Sequence, residues 1–259
     1  MCSSRFAWIA THIGSVRPNN EDRCFVGEWL ADGNDGAWTV NLDTGNGRWS
    51  AAVADGMGGH QAGELASETA ILELHTFADA LESEQTVCAV LERVNERVFQ
   101  RMYAPRGRPG MGCTIAGVAV QGETAMFYNV GDSRAYLLRS REILQQSVDH
   151  TLRGKSSAQG RSHLLTQSLG GTSSRITLAP YIKRMRLAED DVILLCSDGL
   201  TDMLSEDEIL NILLQESDNP ARTLTAAAVD AGGYDNVTVI VIGEEHDANA
   251  EVIRDRLPA

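Results

Sequence analysis

Six acids and one arginine stand where this chain can do chemistry. Asp55 ends the apolar run of Ser50–Ala54 and is followed by Gly56 and a glycine-rich turn, D-G-M-G-G. Asp198 repeats that arrangement, with apolar Val192–Cys196 running into S-D-G. Asp132 lies in G-D-S between two apolar stretches, and Asp235 precedes Asn236 and the apolar run of Val237–Ile242. Glu21 and Asp22 close an irregular stretch that begins at Gly14 and carries Arg17. An all-carboxylate set without His or Cys suits a hard divalent cation, Mg²⁺ or Mn²⁺, and not zinc. A glycine after the acid lets a backbone carbonyl approach the same ion. Two such ions roughly 3.5–4 Å apart can activate a shared water, and they stabilise charge developing on a phosphoryl group. A guanidinium such as Arg17 offers a fork for two phosphate oxygens. If the acids converge, the residues point to a two-metal phosphoester hydrolase. Each also has a plainer reading. Asp55 and its glycines make an ordinary turn between strand and helix, Asp132 makes the tip of a hairpin, and Arg17 with its acids makes a solvated ion pair.

These residues need strands and helices to hold them. Strands are expected at Phe6–Ile13, Arg23–Val26, Ser50–Ala54, Cys113–Val120, Thr124–Val130, Arg134–Leu138, Leu178–Arg184, Val192–Cys196 and Val237–Ile242, with an extra arm at Ala37–Leu42. Gly131-Asp132-Ser133 reads as a tight hairpin joining two of them. Helices are expected at Glu64–Leu81, at about Gln85–Tyr103, after a Ser205/Glu208 capping box, and at Pro220–Ala231. Small residues Ala62, Ala66 and Ala70 on the first helix let it lie close to a sheet. Short links between successive strands imply antiparallel pairing. His75 reads as a polar-face residue, His150 as a structural hydrogen bonder, and Trp29, Trp38 and Trp49 as packing. The basic loop Pro105–Gly112 lacks the closing G-K-[ST] of a phosphate-binding loop and reads as a connector.

With 259 residues and no linker or repeat, the chain reads as one domain over residues 1–243, followed by a polar tail over 244–259. The net charge of −14 argues against nucleic acid or an anionic membrane surface as partner. No apolar run approaches a membrane span, and Phe6–Ala10 is too short for the core of a signal peptide. The five cysteines are unpaired in spacing, which suits a reducing cytoplasm.

Several motifs also resemble those of one family. R-P-N-N-E-D (Arg17–Asp22), V-A-D-G-M-G-G-H (Val53–His60), G-C-T-I-A (Gly112–Ala116) and V-G-D-S-R-A-Y (Val130–Tyr136) are similar to motifs of the metal-dependent (PPM) type 2C protein serine/threonine phosphatases. So are L-T-Q-S-L-G (Leu165–Gly170), I-L-L-C-S-D-G-L (Ile193–Leu200) and Y-D-N-V-T-V (Tyr234–Val239). They run in the family's order, and the D-G-M-G-G form resembles compact bacterial stand-alone members. The resemblance implies an α+β fold, an αββα sandwich of two antiparallel sheets with helices outside. It implies hydrolysis of phosphoserine and phosphothreonine by metal-bridged hydroxide, with Mn²⁺ or Mg²⁺ at two positions and a weaker third. By motif position Asp55 bridges both metals and the Gly56 carbonyl binds one. Asp198 and Asp235 hold the second, and Asp132 with Asp198 holds the third. Glu21 and Asp22 act through metal-bound waters, Arg17 grips the substrate phosphate, and Asn236 stands behind the ligands. Catalysis then rests on Arg17, Asp55 and Asp198.

The resemblance further implies a monomeric cytoplasmic enzyme acting on phosphoproteins and opposing a bacterial Ser/Thr kinase, with some members serving type VI secretion. The chain departs from the pattern in places. Met57 stands where some members carry a His that acts as general acid, and His60 does not inherit that role. The segment between Asp149-His150 and Leu165 is short for the family's flap, His12 replaces a frequent Asp, and the 27–49 loop is long enough to be a docking surface. Two other functions compete. One is a catalytically silent phosphoprotein-binding regulator of the same fold, which retention of Asp55, Asp198, Asp235 and Arg17 disfavours. The other is a hydrolase of small phosphoesters.

Overall fold

The computed structural model describes residues 5–42, 47–58, 61–105, 107–152 and 164–244. His60, most of the expected flap and the tail beyond Glu244 lie outside the described residues. In chain order the strands are β1 (Arg5–His12), β2 (Arg23–Val26), β3 (Trp29–Leu30), β4 (Gly36–Asn41), β5 (Arg48–Ala54) and β6 (Gly56–Met57). Helices α1 (Gln61–Thr76) and α2 (Glu84–Met102) follow. Then come β7 (Gly112–Cys113), β8 (Ile115–Gln121), β9 (Thr124–Val130), β10 (Arg134–Arg139), β11 (Glu142–Gln145), β12 (Leu169–Gly170), β13 (Tyr181–Arg186) and β14 (Val192–Cys196). The chain continues through α3 (Asp198–Thr201), α4 (Glu206–Leu213) and α5 (Pro220–Asp230) to β15 (Val237–Glu244).

Two six-stranded sheets carry the fold, in the orders β11-β10-β14-β15-β1-β4 and β13-β9-β8-β5-β2-β3. Every pairing between named strands is antiparallel. The central strands are apolar on both faces because both faces are covered. On β14, Ile193 and Leu195 point into the core between the sheets, while Leu194 and Cys196 meet the outer helices. On β5, Ala51 and Val53 face the other sheet, and Ala52 and Ala54 face α1 and α2. Leu200, Ile209, Leu224 and Ala228 cover the first sheet from outside. These are the four layers of an αββα sandwich. The capping boxes at Ser83 and Ser205, and the Asn219 cap before Pro220, start α2, α4 and α5.

Several expectations change. Gly131–Ser133 is not a hairpin: β9 and β10 belong to different sheets, and the three residues carry the chain from one to the other. Turn residues specify a local reversal, whereas the partner of each strand is set by burial on both of its faces. The stretch from Cys113 to Val120 breaks at Thr114, because Gly112-Cys113 joins β6 and β12 in a separate three-stranded sheet. The first helix ends at Thr76 and is followed by a 3₁₀ turn at Ala78–Ala80, and β11 is an edge strand the sequence does not announce. His75 is half-buried and not simply polar-facing. Its Nε2 lies 3.1 Å from the Gly27 carbonyl oxygen, and its ring packs edge-on against Phe25. Trp29 and Trp38 pack together, with ring centroids 5.1 Å apart, against the inter-sheet core.

The register puts the interesting strand ends at one pole. His12 at the end of β1 pairs with Val237 at the start of β15, and Cys196 at the end of β14 pairs with Val239. Ala54 at the end of β5 pairs with Arg23, and Val130 at the end of β9 pairs with Ile115. Loops 13–22 and 131–133 cross between the sheets at this same pole.

Candidate metal centre

The pole opens into a cleft of about 1320 Å³. Arg17, Asp55, Asp132, Asp198 and Asp235 line it, each from a different strand exit or entry. Gly56, Glu21 and Asn236 also reach its wall. Asp22 does not. It is 1% exposed and lies beneath the cleft, between the sheets.

The local chemistry explains each placement. Asp55 follows β5 directly, and its backbone N–H donates to Thr114 Oγ1 at 3.2 Å while its carbonyl accepts from Thr114 N–H at 2.8 Å. Thr114 Oγ1 in turn lies 2.6 Å from Ser133 Oγ, which ties the Asp55 turn to the Asp132 crossing. His150 holds the same crossing. Its Nδ1 accepts from Gly131 N–H at 3.1 Å, and its backbone N–H donates to the Gly131 carbonyl at 2.9 Å. Gly56 must be glycine because a Cβ there would sit 2.3 Å from the Gly63 carbonyl oxygen and 2.7 Å from that of Glu21. The turn is thus pressed against the start of α1. Asn236 is 4% exposed and works as a staple. Its Oδ1 accepts from Glu21 N–H at 2.8 Å, and its Nδ2 donates to the carbonyls of Ile13 (2.8 Å) and Asn19 (3.0 Å). Asp235 receives the Asn236 N–H on Oδ1 at 2.8 Å and the Arg17 guanidinium on Oδ2 at 2.5 Å.

Electrostatically the site is short of positive charge. Burial, reinforced by Asp198 and Asp235 and opposed by the Ser197 hydroxyl, pushes Asp22 up to about 7. Burial and then Asp22 and Asp198 hold Asp55 well above the usual carboxylate range. Asp132 is pushed up to about 7 by burial and by Asp198. Burial also raises Glu21, against the Asn19 amide that donates to it. Such groups are fully ionised at neutral pH only beside a compensating cation.

The donors fit a hard divalent ion. They are carboxylate and carbonyl oxygens, and the buried Asp22 Oδ1 has no hydrogen-bond partner among the described residues. Among the described residues, no three His, Cys, Asp or Glu side chains close around a single point.

A family model described as protein phosphatase 2C matches residues 34–231. The chain belongs to the protein phosphatase 2C family. It is 32% identical over 262 residues to the protein phosphatase PhpP of Streptococcus pneumoniae, covering 93% of this chain and 98% of PhpP. The serine/threonine phosphatase structure from S. agalactiae superposes with a TM-score of 0.76 at 29% identity, over 93% of this chain and all of that one (100%). The catalytic domain of the serine/threonine protein phosphatase PstP, solved in complex with two manganese ions, superposes with a TM-score of 0.72 at 29% identity, over 93% and 99% of the two chains.

Some residues that build this site escaped the sequence reading. Ser197 donates to Asp22 Oδ2 at 2.7 Å and accepts the Thr238 N–H at 2.9 Å. Thr11, Asn20 and Thr238 extend that buried polar chain. Arg23, nearly buried, donates to the Asn20 and Asp22 carbonyls and pairs with Glu64 of α1 at 2.8 Å. The signal available was a small polar residue at each strand end within an apolar run, as in C-S-D-G and V-T-V.

Proposed function

We propose that this chain is a metal-dependent protein serine/threonine phosphatase that hydrolyses phosphoserine and phosphothreonine. The observation that carries the reading is convergence. Carboxylates from separate strand ends share one open cleft with the Arg17 guanidinium, which pairs with Asp235 at its mouth. In this reading Asp55, the Gly56 carbonyl, Asp198 and Asp235 would hold two Mn²⁺ or Mg²⁺ ions. Asp132 with Asp198 would hold a weaker third ion. Glu21 and Asp22 would act through waters of the ions, and Asn236 fixes the loop that presents Glu21. Ions bound there would supply an acidified water and offset charge on the phosphoryl group. Arg17 grips two oxygens of the substrate phosphate and orients it for in-line attack. Met57 lines the cleft next to Gly56 and has no proton to give, so the leaving alkoxide is protonated from another source.

The substrates are phosphorylated proteins, set against a cognate Ser/Thr kinase. The protein acts as a cytoplasmic monomer, with one domain spanning residues 1–243. No helix among the described residues is long and apolar enough to cross a membrane. The test is phosphate release from a phosphothreonine peptide with and without Mn²⁺, on wild type and Asp198→Asn. Mn²⁺-dependent release that Asp198→Asn abolishes is the expected result. No release from any phosphopeptide, with Mn²⁺ bound, would move the protein to a phosphoprotein-binding role. Arg17→Ala should raise KM for the phosphopeptide more than it lowers kcat.

A further inference from the structure

Both carboxylate oxygens of Asp235 are in use. Oδ1 accepts from Asn236 N–H at 2.8 Å, and Oδ2 accepts from Arg17 Nη2 at 2.5 Å. This second contact lies at the cleft mouth, where the Arg17 side chain is 52% exposed and has room to turn away. The backbone beneath it has no such freedom. Ser15 N–H donates to the Gly233 carbonyl at 2.7 Å, and Asn236 ties down Ile13, Asn19 and Glu21. A Cβ on Gly14 would lie 2.2 Å from the Asp235 carbonyl oxygen, so the two segments touch backbone to backbone. The side chain of Arg17, not the backbone beneath it, is thus the part with room to turn. A guanidinium and a divalent cation compete for the one Asp235 oxygen that the Asn236 N–H leaves open.

We propose that Arg17 is a two-position arm, resting on Asp235 Oδ2 until a cation takes that oxygen and then turning out to the substrate phosphate. The proposal rests on the reading above, in which Asp235 holds a cation and Arg17 holds phosphate. Its consequence is coupling. The cation displaces Arg17 from Asp235, and phosphate draws Arg17 away from Asp235, so each ligand favours the other beyond their direct attraction. By linkage the factor is the same in both directions. Ion pairs this exposed are weak, so the effect is roughly two- to fivefold in affinity.

The experiment is a calorimetric Mn²⁺ titration of the EDTA-stripped full chain without phosphate, for wild type, Arg17→Gln and Asp198→Asn. Arg17→Gln should bind Mn²⁺ roughly two- to fivefold more tightly than wild type, because its competitor for Asp235 is gone. A second readout follows Arg17 itself by ¹⁵N-arginine NMR during a Mg²⁺ titration, with its signals assigned by their loss in Arg17→Gln. Guanidinium rotation should be hindered before Mg²⁺ and free at saturation. Equal or weaker Mn²⁺ binding by Arg17→Gln overturns the arm, as do Arg17 signals that stay unchanged at saturating Mg²⁺. If Asp198→Asn binds Mn²⁺ with unchanged number and affinity, the metal-centre reading fails with it. If Asp198→Asn loses an ion while Arg17→Gln matches wild type, only the arm is lost.

Discussion

Replacing Asn236 by alanine should loosen the 13–22 loop and lower stability by about 3 kcal/mol. The side chain makes three hydrogen bonds of 2.8, 2.8 and 3.0 Å to backbone groups of that loop, and the residue is only 4% exposed. Each such bond contributes roughly 1 kcal/mol net, and a stranded backbone group costs about 1–3 kcal/mol if water cannot reach it. For a chain of this size, about 3 kcal/mol corresponds to a fall in Tm of about 6–12 °C. The measurement is urea and thermal unfolding in EDTA, so that no cation contributes. Asn236→Asp sharpens the test. It keeps an acceptor for Glu21 N–H but turns an acceptor toward the Ile13 and Asn19 carbonyls, so it should cost at least as much as alanine. The loop also carries Arg17, so KM for a phosphopeptide should rise in both variants. A stability change under about 0.5 kcal/mol in Asn236→Ala, or Asn236→Asp indistinguishable from wild type, would refute the staple.

Other predictions follow from neighbouring contacts. Gly56→Ala should cost about 1–3 kcal/mol or more, because its Cβ meets backbone carbonyl oxygens of Gly63 and Glu21 rather than a side chain that can swing away. Its activity should fall even where the protein stays folded, and a fully active, fully stable variant would contradict the packing. Ser197→Ala should cost about 1–3 kcal/mol, since it strands the Thr238 N–H and removes the donor to Asp22. Unchanged urea midpoints would argue against that role. In EDTA, stability should decline as pH rises from about 5 to 7.5. Asp22, Asp55 and Asp132 all have folded pKa values raised above their unfolded ones. The folded state then holds more protons across this window, so the stability present at lower pH is lost as pH climbs through about 7. Glu21, raised by burial, adds to this, and His150, lowered by burial, opposes it. Mn²⁺ should flatten the slope, because a cation favours the ionised carboxylates. Urea midpoints at pH 5 and 7.5, with and without Mn²⁺, check the sign, and an EDTA curve that rises with pH would reverse the argument.

Much of this protein is written locally. Val192–Cys196 is five apolar residues ending in S-D-G, and that alone sets a buried strand with an acid at its exit. Ser205 and Glu208 make a capping box wherever the helix packs, since both partners lie within one turn. The candidate acids Asp55, Asp132, Asp198 and Asp235 were legible for the same reason: each stands where an apolar run stops or starts. The resemblance of the motifs suggests the roles proposed for them, which side-chain chemistry alone leaves open. Tertiary structure decided what depends on pairing at a distance. Gly131-Asp132-Ser133 has the residues of a hairpin, yet it crosses between sheets, because burial on both faces assigns β9 and β10 to different partners. The Asn236 staple spans more than two hundred residues of chain, 217 to Asn19 and 223 to Ile13, and Ser197 reaches Asp22 across 175. The contact of Arg17 with Asp235 depends on the same long-range closure. Sequence fixes which groups can bond, but a hydrogen bond or ion pair forms only where the register of strands brings donor and acceptor within about 3 Å. At this pole, the antiparallel register of β1, β14 and β15 brought them there.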